Sequence, residues 1–362
     1  MVPLSLIDMM HVSMMWLIRF TREIFLRGID MARKVLLIAP VFFNYYKEMI
    51  KELELMGYQV DYICDAPSNS NISKAIGRIN KNLIKGTTKK YFEGKVIPSI
   101  KAKKYDDVLI VGGMTFAFTP DMVAEIKRMN PQARFAMYQW DSEKNLPYST
   151  GIHPYMDQLY SFDLNDCEEM PKYKFLPLFY TRIYEEIGKE KVDRYKYDCS
   201  YIGTAHPQKF KDVNAMADAL KTIMPRQFIY HYMPSKLKYY YHKLLAPEFK
   251  NAKMSDFKTE KVPAKDVMQV FNDSACILDA PQAGQTGLTI RTIECLGAKR
   301  KMMTTNKDIK KYDFYNESNI LVFEGSVDKN DKFFTAPYVE VNVEVYKKYS
   351  LREWLKFMLE GK

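Results

Sequence analysis

"KVLLIAPVFFNYYKEMIKELELMGYQVDYICD" (Lys34–Asp65) decides the fold class. It opens with a continuous apolar, β-branched run, Lys34–Pro40, the pattern of a strand buried on both faces. Apolar residues then recur at helical spacing through "YYKEMIKELELMGY", and Gly57 marks the stop. "QVDYICD" is a second strand. A strand, a helix and a strand within about thirty residues form a βαβ unit, and such units build parallel sheets.

The same grammar continues downstream. "DDVLIVGG" (Asp106–Gly113) reads as a strand, "PDMVAEIKRMN" as a helix opened by Pro120, and "RFAMYQWD" (Arg134–Asp141) as a strand. "QLYSFDLNDCEEM" reads as a short strand and a turn. "KFLPLFYTRIY" and the charged Arg182–Lys196 read as a connection. A second α/β unit follows. Its strands are "DCSYIGT" (Asp198–Thr204), "QFIYHYM", "ACILDA" (Ala275–Ala280) and "NILVF", separated by helices around Gln208–Ile223 and "KDVMQVFNDS". "SLREWLKFMLEG" has the spacing of an amphipathic helix. The expected architecture is α/β, with two doubly wound domains facing a cleft. Its expected bounds are an extension over 1–30, a first domain over 31–180, a linker over 181–197, a second domain over 198–340 and a terminal helix over 341–362 that packs back on the first domain. In such sheets ligands sit beyond the carboxyl ends of the strands. That places Gly112, Gly113, Trp140 and Asp141 along one edge.

Composition sets limits on function. The 362 residues are 47% hydrophobic and 27% charged, enough to bury two real cores. The five cysteines are scattered without a CxxC pair, which argues against a disulfide framework and a zinc site. The net charge of +10 suits an anionic partner such as nucleic acid, an acidic membrane surface or a phosphorylated substrate. No nucleic-acid-binding motif accompanies it, so no nucleic-acid partner is expected. Lys74–Lys104 holds ten Lys or Arg and one acidic residue, Glu93; it reads either as a solvated basic face or as a patch for an anionic membrane surface or phosphate-bearing acceptor. Within Met1–Gly28 the uninterrupted apolar run, Met14–Ile18, is too short to span a bilayer. The segment reads as an amphipathic surface helix or as an extension before a native start at Met31, and the second reading is preferred. The expected location is cytoplasmic, peripheral on the inner face of the membrane.

"GQTGLTIRTIECLGAKRKMMTTN" (Gly284–Asn306) carries the chemistry. If a helix begins near Thr286, then Gly287, Arg291 and Glu294 share one face, while Ile290, Ile293 and Leu296 pack on the sheet. A helix N-terminus with free N–H groups attracts an anion, and Arg291 adds a bidentate cation. The same residues also suit an ordinary loop and helix with an i, i+3 Arg–Glu pair.

This stretch, followed by "YDFYNESNILVF", resembles the donor region of bacterial surface-polysaccharide glycosyltransferases of GT-B architecture, in the capsule, exopolysaccharide and lipopolysaccharide group related to CgeB-like proteins. "YQWDSEKN", "LYSFDLND", "KFLPLFY" and "CSYIGTAH" fit the same family in the same order, so the resemblance spans roughly Lys34–Phe323. It implies a glycosyltransferase with two Rossmann-like domains, a nucleotide-sugar donor on the second and a glycan or lipid-linked acceptor on the first; a nucleotide-binding oxidoreductase or epimerase, weakened by the lack of GxGxxG after the first strand, and a non-catalytic binding protein of the same fold stay open beside it. It assigns Gln285, Gly287, Leu288, Thr289, Arg291 and Glu294 to the donor, with Gly203 and Thr204 as the facing loop. No metal or other cofactor is implied. The chain departs from the paired-Glu pattern of many retaining members, because Thr286 stands eight residues before Glu294.

Glycosyl transfer to a hydroxyl needs a base, and a cleft carboxylate supplies one. Asp141, beside a Trp140 able to stack on a sugar, is one candidate, and Asp163 is a second, with Asp166 as its neighbour. Each also suits a cap or turn. His206 is placed to touch a phosphate or to sit in a surface loop.

Overall fold

The fold is that of a computed structural model, which describes residues 32–41, 44–67, 84–113, 115–141, 143, 147–281 and 287–361. Met1–Gly28, the first part of the basic stretch (74–83) and Gln285 with Thr286 lie outside the described residues.

Two parallel sheets form the molecule. The first contains β1 (Lys34–Ala39), β2 (Gln59–Cys64), β3 (Asp107–Gly112), β4 (Arg134–Gln139), β5 (Gln158–Ser161) and β6 (Tyr173–Phe175), in the order β2-β1-β3-β4-β5-β6. The second contains β7 (Tyr197–Thr204), β8 (Gln227–Tyr232), β9 (Ser274–Asp279), β10 (Lys301–Thr304) and β11 (Ile320–Val322), in the order β11-β10-β9-β7-β8. Each sheet reverses direction once, between β1 and β3 and between β7 and β9. Ligand crevices open at such switch points. The first lies beyond Ala39 and Gly112, the second beyond Thr204 and Asp279.

The helices follow from their sequence signals. In the first domain they are α1 (Tyr45–Leu55), α2 (Lys85–Tyr91), α3 (Ile97–Ile100), α4 (Pro120–Met129) and α5 (Leu164–Glu169). A single π-turn, Phe92–Val96, joins α2 to α3. Helix α5 corrects the expected turn at "DLND". Asp163 takes an extended conformation and its Oδ1 accepts the Asn165 N–H at 2.9 Å, so the Asx motif starts a helix.

Helix α6 (Arg182–Lys189) stands inside the stretch expected as a linker, with Tyr184 and Ile187 in the core. The second domain carries α7 (Pro207–Leu220), α8 (Lys236–Leu245), α9 (Ala264–Asn272), α10 (Ile290–Gly297) and α11 (Lys332–Thr335). Helices α12 (Val343–Lys348) and α13 (Leu351–Glu360) close the chain. Trp354 of α13 meets Tyr138 of β4 and Phe179, both at 4.7 Å between ring centroids. Burying each such aromatic stabilises by roughly 1.5–3 kcal/mol. One continuous core therefore runs from Val35 and Tyr138 through Phe179 to Ile277 and Ile293. Beneath it the buried Glu52 of α1 takes Arg182 at 3.0 Å and Arg352 at 3.0 Å, which ties the connection and the terminal helix to the first domain.

Candidate functional site

The switch point of the second sheet gathers charge. Helix α10 does not begin near Thr286: its first residue is Ile290, and Thr289 is the cap. The reason is a long-range tie. The Thr289 hydroxyl donates to Asp279 Oδ2 at 2.6 Å, at the end of β9, and its oxygen accepts the Thr292 N–H. That fixes Thr289 in extended conformation and removes Gly287 from the helical face. Gly287 precedes the cap and touches the other domain: a Cβ there would lie 2.5 Å from Phe162 Cε2. Leu288 is buried in the core, so only its backbone is available to a ligand.

Arg291 and Glu294 do share a face of α10. Arg291 Nη1 lies 2.9 Å from Glu294 Oε2, without the alignment of a hydrogen bond. The guanidinium stacks over the Phe271 ring at 4.9 Å. Burial opposes its charge most strongly, but Glu294 together with Tyr184, Tyr45 and Cys295 outweighs it, and the Arg291 pKa moves up. Glu294 is also the acceptor of a short hydrogen bond from the Tyr45 hydroxyl. Burial, with Glu294 second, raises the Tyr45 pKa, so it stays a donor. Thus a first-domain tyrosine reaches the carboxylate that the resemblance assigns to the donor.

Gly203 and Thr204 end β7. A Cβ at Gly203 would sit 2.3 Å from the Tyr201 hydroxyl, so only glycine fits without moving that ring. The hydroxyl itself is buried and has no hydrogen-bond partner among the described residues. His206 caps α7, and Pro207 opens it. Burial first, then Lys238 and Lys209, lower the His206 pKa to about 4, so it is neutral at pH 7.

Lys209 escaped sequence reasoning. It lies in the first turn of α7, within electrostatic reach of Asp279 and Arg291, and has no ion-pair partner among the described residues. Burial lowers its pKa. A signal was present: a lysine in a first helical turn opposes the helix dipole, which an anion there would offset. Tyr45, Tyr201 and Asp279 also escaped, because only the fold brings them in.

The first-domain candidates are placed differently. Trp140 is half-buried among Tyr45, Tyr138 and Phe179, with Tyr45 at 5.6 Å and Phe179 at 5.8 Å. It therefore packs in the core on at least three sides. Asp141 follows it at the rim, half-buried. Asp163 is buried and caps α5. Asp166 is held by the Ser161 hydroxyl at 3.1 Å and the Glu143 N–H at 2.9 Å. A Cβ at Gly112 would meet the flexible end of Met137, while Gly113 faces open space and starts a turn to Phe116. Among the described residues no three His, Cys, Asp or Glu side chains gather as a metal site. No helix among them is long and apolar enough to cross a membrane.

No protein-family model matches the chain, and no curated protein sequence matches it. Solved structures do. HepE from Anabaena, in complex with UDP and glucose, aligns at a TM-score of 0.55 and 10% identity, covering 91% of this chain and 100% of that one. An α,α-trehalose-phosphate synthase (UDP-forming) from Burkholderia xenovorans, in complex with glucose-6-phosphate, aligns at 0.55 and 9% identity, covering 91% and 99%. An α-glucosyltransferase in complex with UDP and DNA aligns at 0.50 and 11% identity, covering 91% and 90%. At such identities the likeness concerns the fold: two Rossmann-like domains in the GT-B arrangement.

Proposed function

We propose that the chain is a glycosyltransferase, moving a sugar from a nucleotide-sugar donor to a glycan or lipid-linked acceptor in the building of a bacterial surface polysaccharide. The observation that carries the reading is the pair of cations at the β7/β9 switch point, Lys209 with no ion-pair partner among the described residues and Arg291 beside it in the field, together with the neutral His206 at the start of α7. A diphosphate placed there gains charge-assisted hydrogen bonds and the N-terminal dipole of α7. Those same groups stabilise the leaving diphosphate as its charge grows during transfer. Glu294 accepts from donor ribose hydroxyls, in exchange for the Tyr45 hydroxyl that it now holds. The fold relatives in complex with UDP support a uridine nucleotide. The donor site needs no metal or other cofactor in this reading.

Acceptor chemistry falls to the first domain. Asp141 is the carboxylate we assign as base, since it lies at the rim beyond β4, whereas Asp163 caps α5. Gly112 and Gly113 then leave the sheet edge low for the acceptor. The surface-polysaccharide role rests on the sequence resemblance, whereas the membrane-facing role of Lys74–Lys104 rests on its ten basic residues against one acidic one; the described part forms α2, the π-turn and α3. A thermal-shift panel of UDP, UDP-sugars, GDP-sugars, CMP-sugars, dTDP-sugars, NAD and NADP tests the core of the proposal. UDP or one nucleotide-sugar class should raise the melting temperature. Stabilisation by NAD or NADP alone would overturn it.

A further inference from the structure

Helix α8 presents its apolar side to solvent. Leu237 and Leu244 are 81% and 83% exposed, and Tyr240, Tyr241 and Leu245 are exposed as well. At about 100° per residue these five fall within an arc of roughly 140°. The opposite side anchors the helix. Tyr239 is buried and its hydroxyl donates to Ala252 O at 3.0 Å; the Lys243 ammonium donates to the carbonyls of Lys250 and Ala252. The usual burial pattern of a surface helix is thus reversed. Lys236 and Lys238 stand at the two borders of the apolar arc, where long stems lie along apolar surface and ammonium heads reach outward.

Charge around the helix is net positive. From Lys236 to Lys265 there are eight lysines and three acidic residues, Glu248, Asp256 and Glu260, a net of +5 (8 − 3). No acidic residue lies on α8 itself. A second copy of the chain is a poor occupant for this face, because an isologous contact between two α8 faces offers their lysines no acidic partner on the helix of the other copy. A surface carrying negative charge around an apolar interior matches both features, and that is the composition of an anionic bilayer interface.

We propose that α8 is a membrane-docking helix: Leu237, Tyr240, Tyr241, Leu244 and Leu245 enter the interfacial layer of an anionic bilayer, and Lys236 and Lys238 bind its headgroups. The helix follows β8, and Lys238 lies within electrostatic reach of His206. Docking would therefore hold the β7/β9 crevice close to the membrane. This surface belongs to the second domain and is separate from Lys74–Lys104. It does not depend on glycosyl transfer.

Flotation of the full chain with phosphatidylcholine vesicles, with or without phosphatidylglycerol, tests it. The chain should float with the anionic vesicles and release as salt rises. The pair Leu237→Asp and Leu244→Asp should lower partitioning about tenfold or more, and Lys236→Glu with Lys238→Glu should lower it as well. Leu237, Leu244 and Lys236 are exposed and Lys238 is half-buried, so the melting temperature should hold in the leucine pair and in Lys236→Glu alone. Leu55→Asp, at an exposed apolar site on α1, should float like the wild type. Unchanged flotation in the α8 variants, or no binding of the wild type to anionic vesicles, would overturn the proposal. So would a wild-type dimer that the Leu237→Asp, Leu244→Asp pair dissolves, since the face would then be a self-interface.

Discussion

The two rims that meet across the cleft use their polar groups in opposite ways. On the first-domain rim the acidic groups hold local structure. Asp65 accepts from the Thr115 hydroxyl at 2.8 Å, Asp163 caps α5, and Asp166 holds Ser161 and the Glu143 backbone. On the second-domain rim Lys209 has no such partner, and the Tyr201 hydroxyl makes no hydrogen bond, among the described residues. Buried polar groups in a folded chain are nearly always satisfied. Atoms without a hydrogen-bond partner among the described residues also occur at Glu143 and Trp354, so what sets the second rim apart is a partnerless cation beside a sheet switch point. On the function proposed above, that difference favours the second rim for the donor.

The largest test of that contrast is Lys209→Met. UDP affinity by titration calorimetry should fall on the order of 100-fold, the value of a charge-assisted contact to a phosphate. Stability should not fall, because a half-buried cation with no ion-pair partner among the described residues is removed. The depressed pKa sets a sign as well. Between the folded pKa of Lys209 and that of an ordinary lysine, the unfolded chain binds more protons, so stability rises with pH there, and the substitution should flatten that rise. Unaltered UDP affinity would break the comparison.

Next comes His231 on β8, below the Gly203 loop. Its ring stacks near Tyr201 and Phe210, and burial lowers its pKa to about 4. The unfolded chain takes up this proton near the ordinary histidine value, the folded chain only near 4. Stability is therefore complete above that ordinary value and is lost as pH falls toward 4, by about 2 to 3 kcal/mol for this group. His231→Gln should flatten the acid limb of melting temperature against pH. An identical limb would show that the second rim carries no such burden.

Gly287→Ala probes the point where the rims touch. Its Cβ would meet the Phe162 ring, and overpacking of this kind costs about 1–3 kcal/mol. The melting temperature should drop, and Phe162→Leu in the same chain should restore part of it. No drop would mean that the rims yield freely at this contact.

The strands were legible because β1, β3, β4 and β9 are near-continuous apolar runs, as burial on both faces requires. The start of α10 was not. Thr286 and Thr289 look alike as caps, and the choice depends on a hydrogen bond to Asp279 from ten residues away. The contact between Tyr45 and Glu294 spans 249 residues, beyond any periodicity. Arg291 and Glu294 were found by spacing, while Lys209 needed the helix dipole to stand out. On the first rim, acid residues in "DLND" suit a cap or a base equally, and only the Asn165 N–H at 2.9 Å identifies the cap.

The smallest effect belongs to that cap. Asp163→Asn keeps the side-chain oxygen that accepts the Asn165 N–H, and asparagine caps as well as aspartate. The melting temperature should hardly move, and UDP affinity should stay as in the wild type. Asp163→Ala removes the acceptor and should cost about 1 kcal/mol. If Asp163 serves only the fold, sugar transfer in the Asn variant matches the wild type. A large loss of transfer at constant stability and constant UDP affinity would instead make Asp163 the base in place of Asp141. The first rim would then hold a reacting group inside its capping structure, and the division between the two rims would no longer hold.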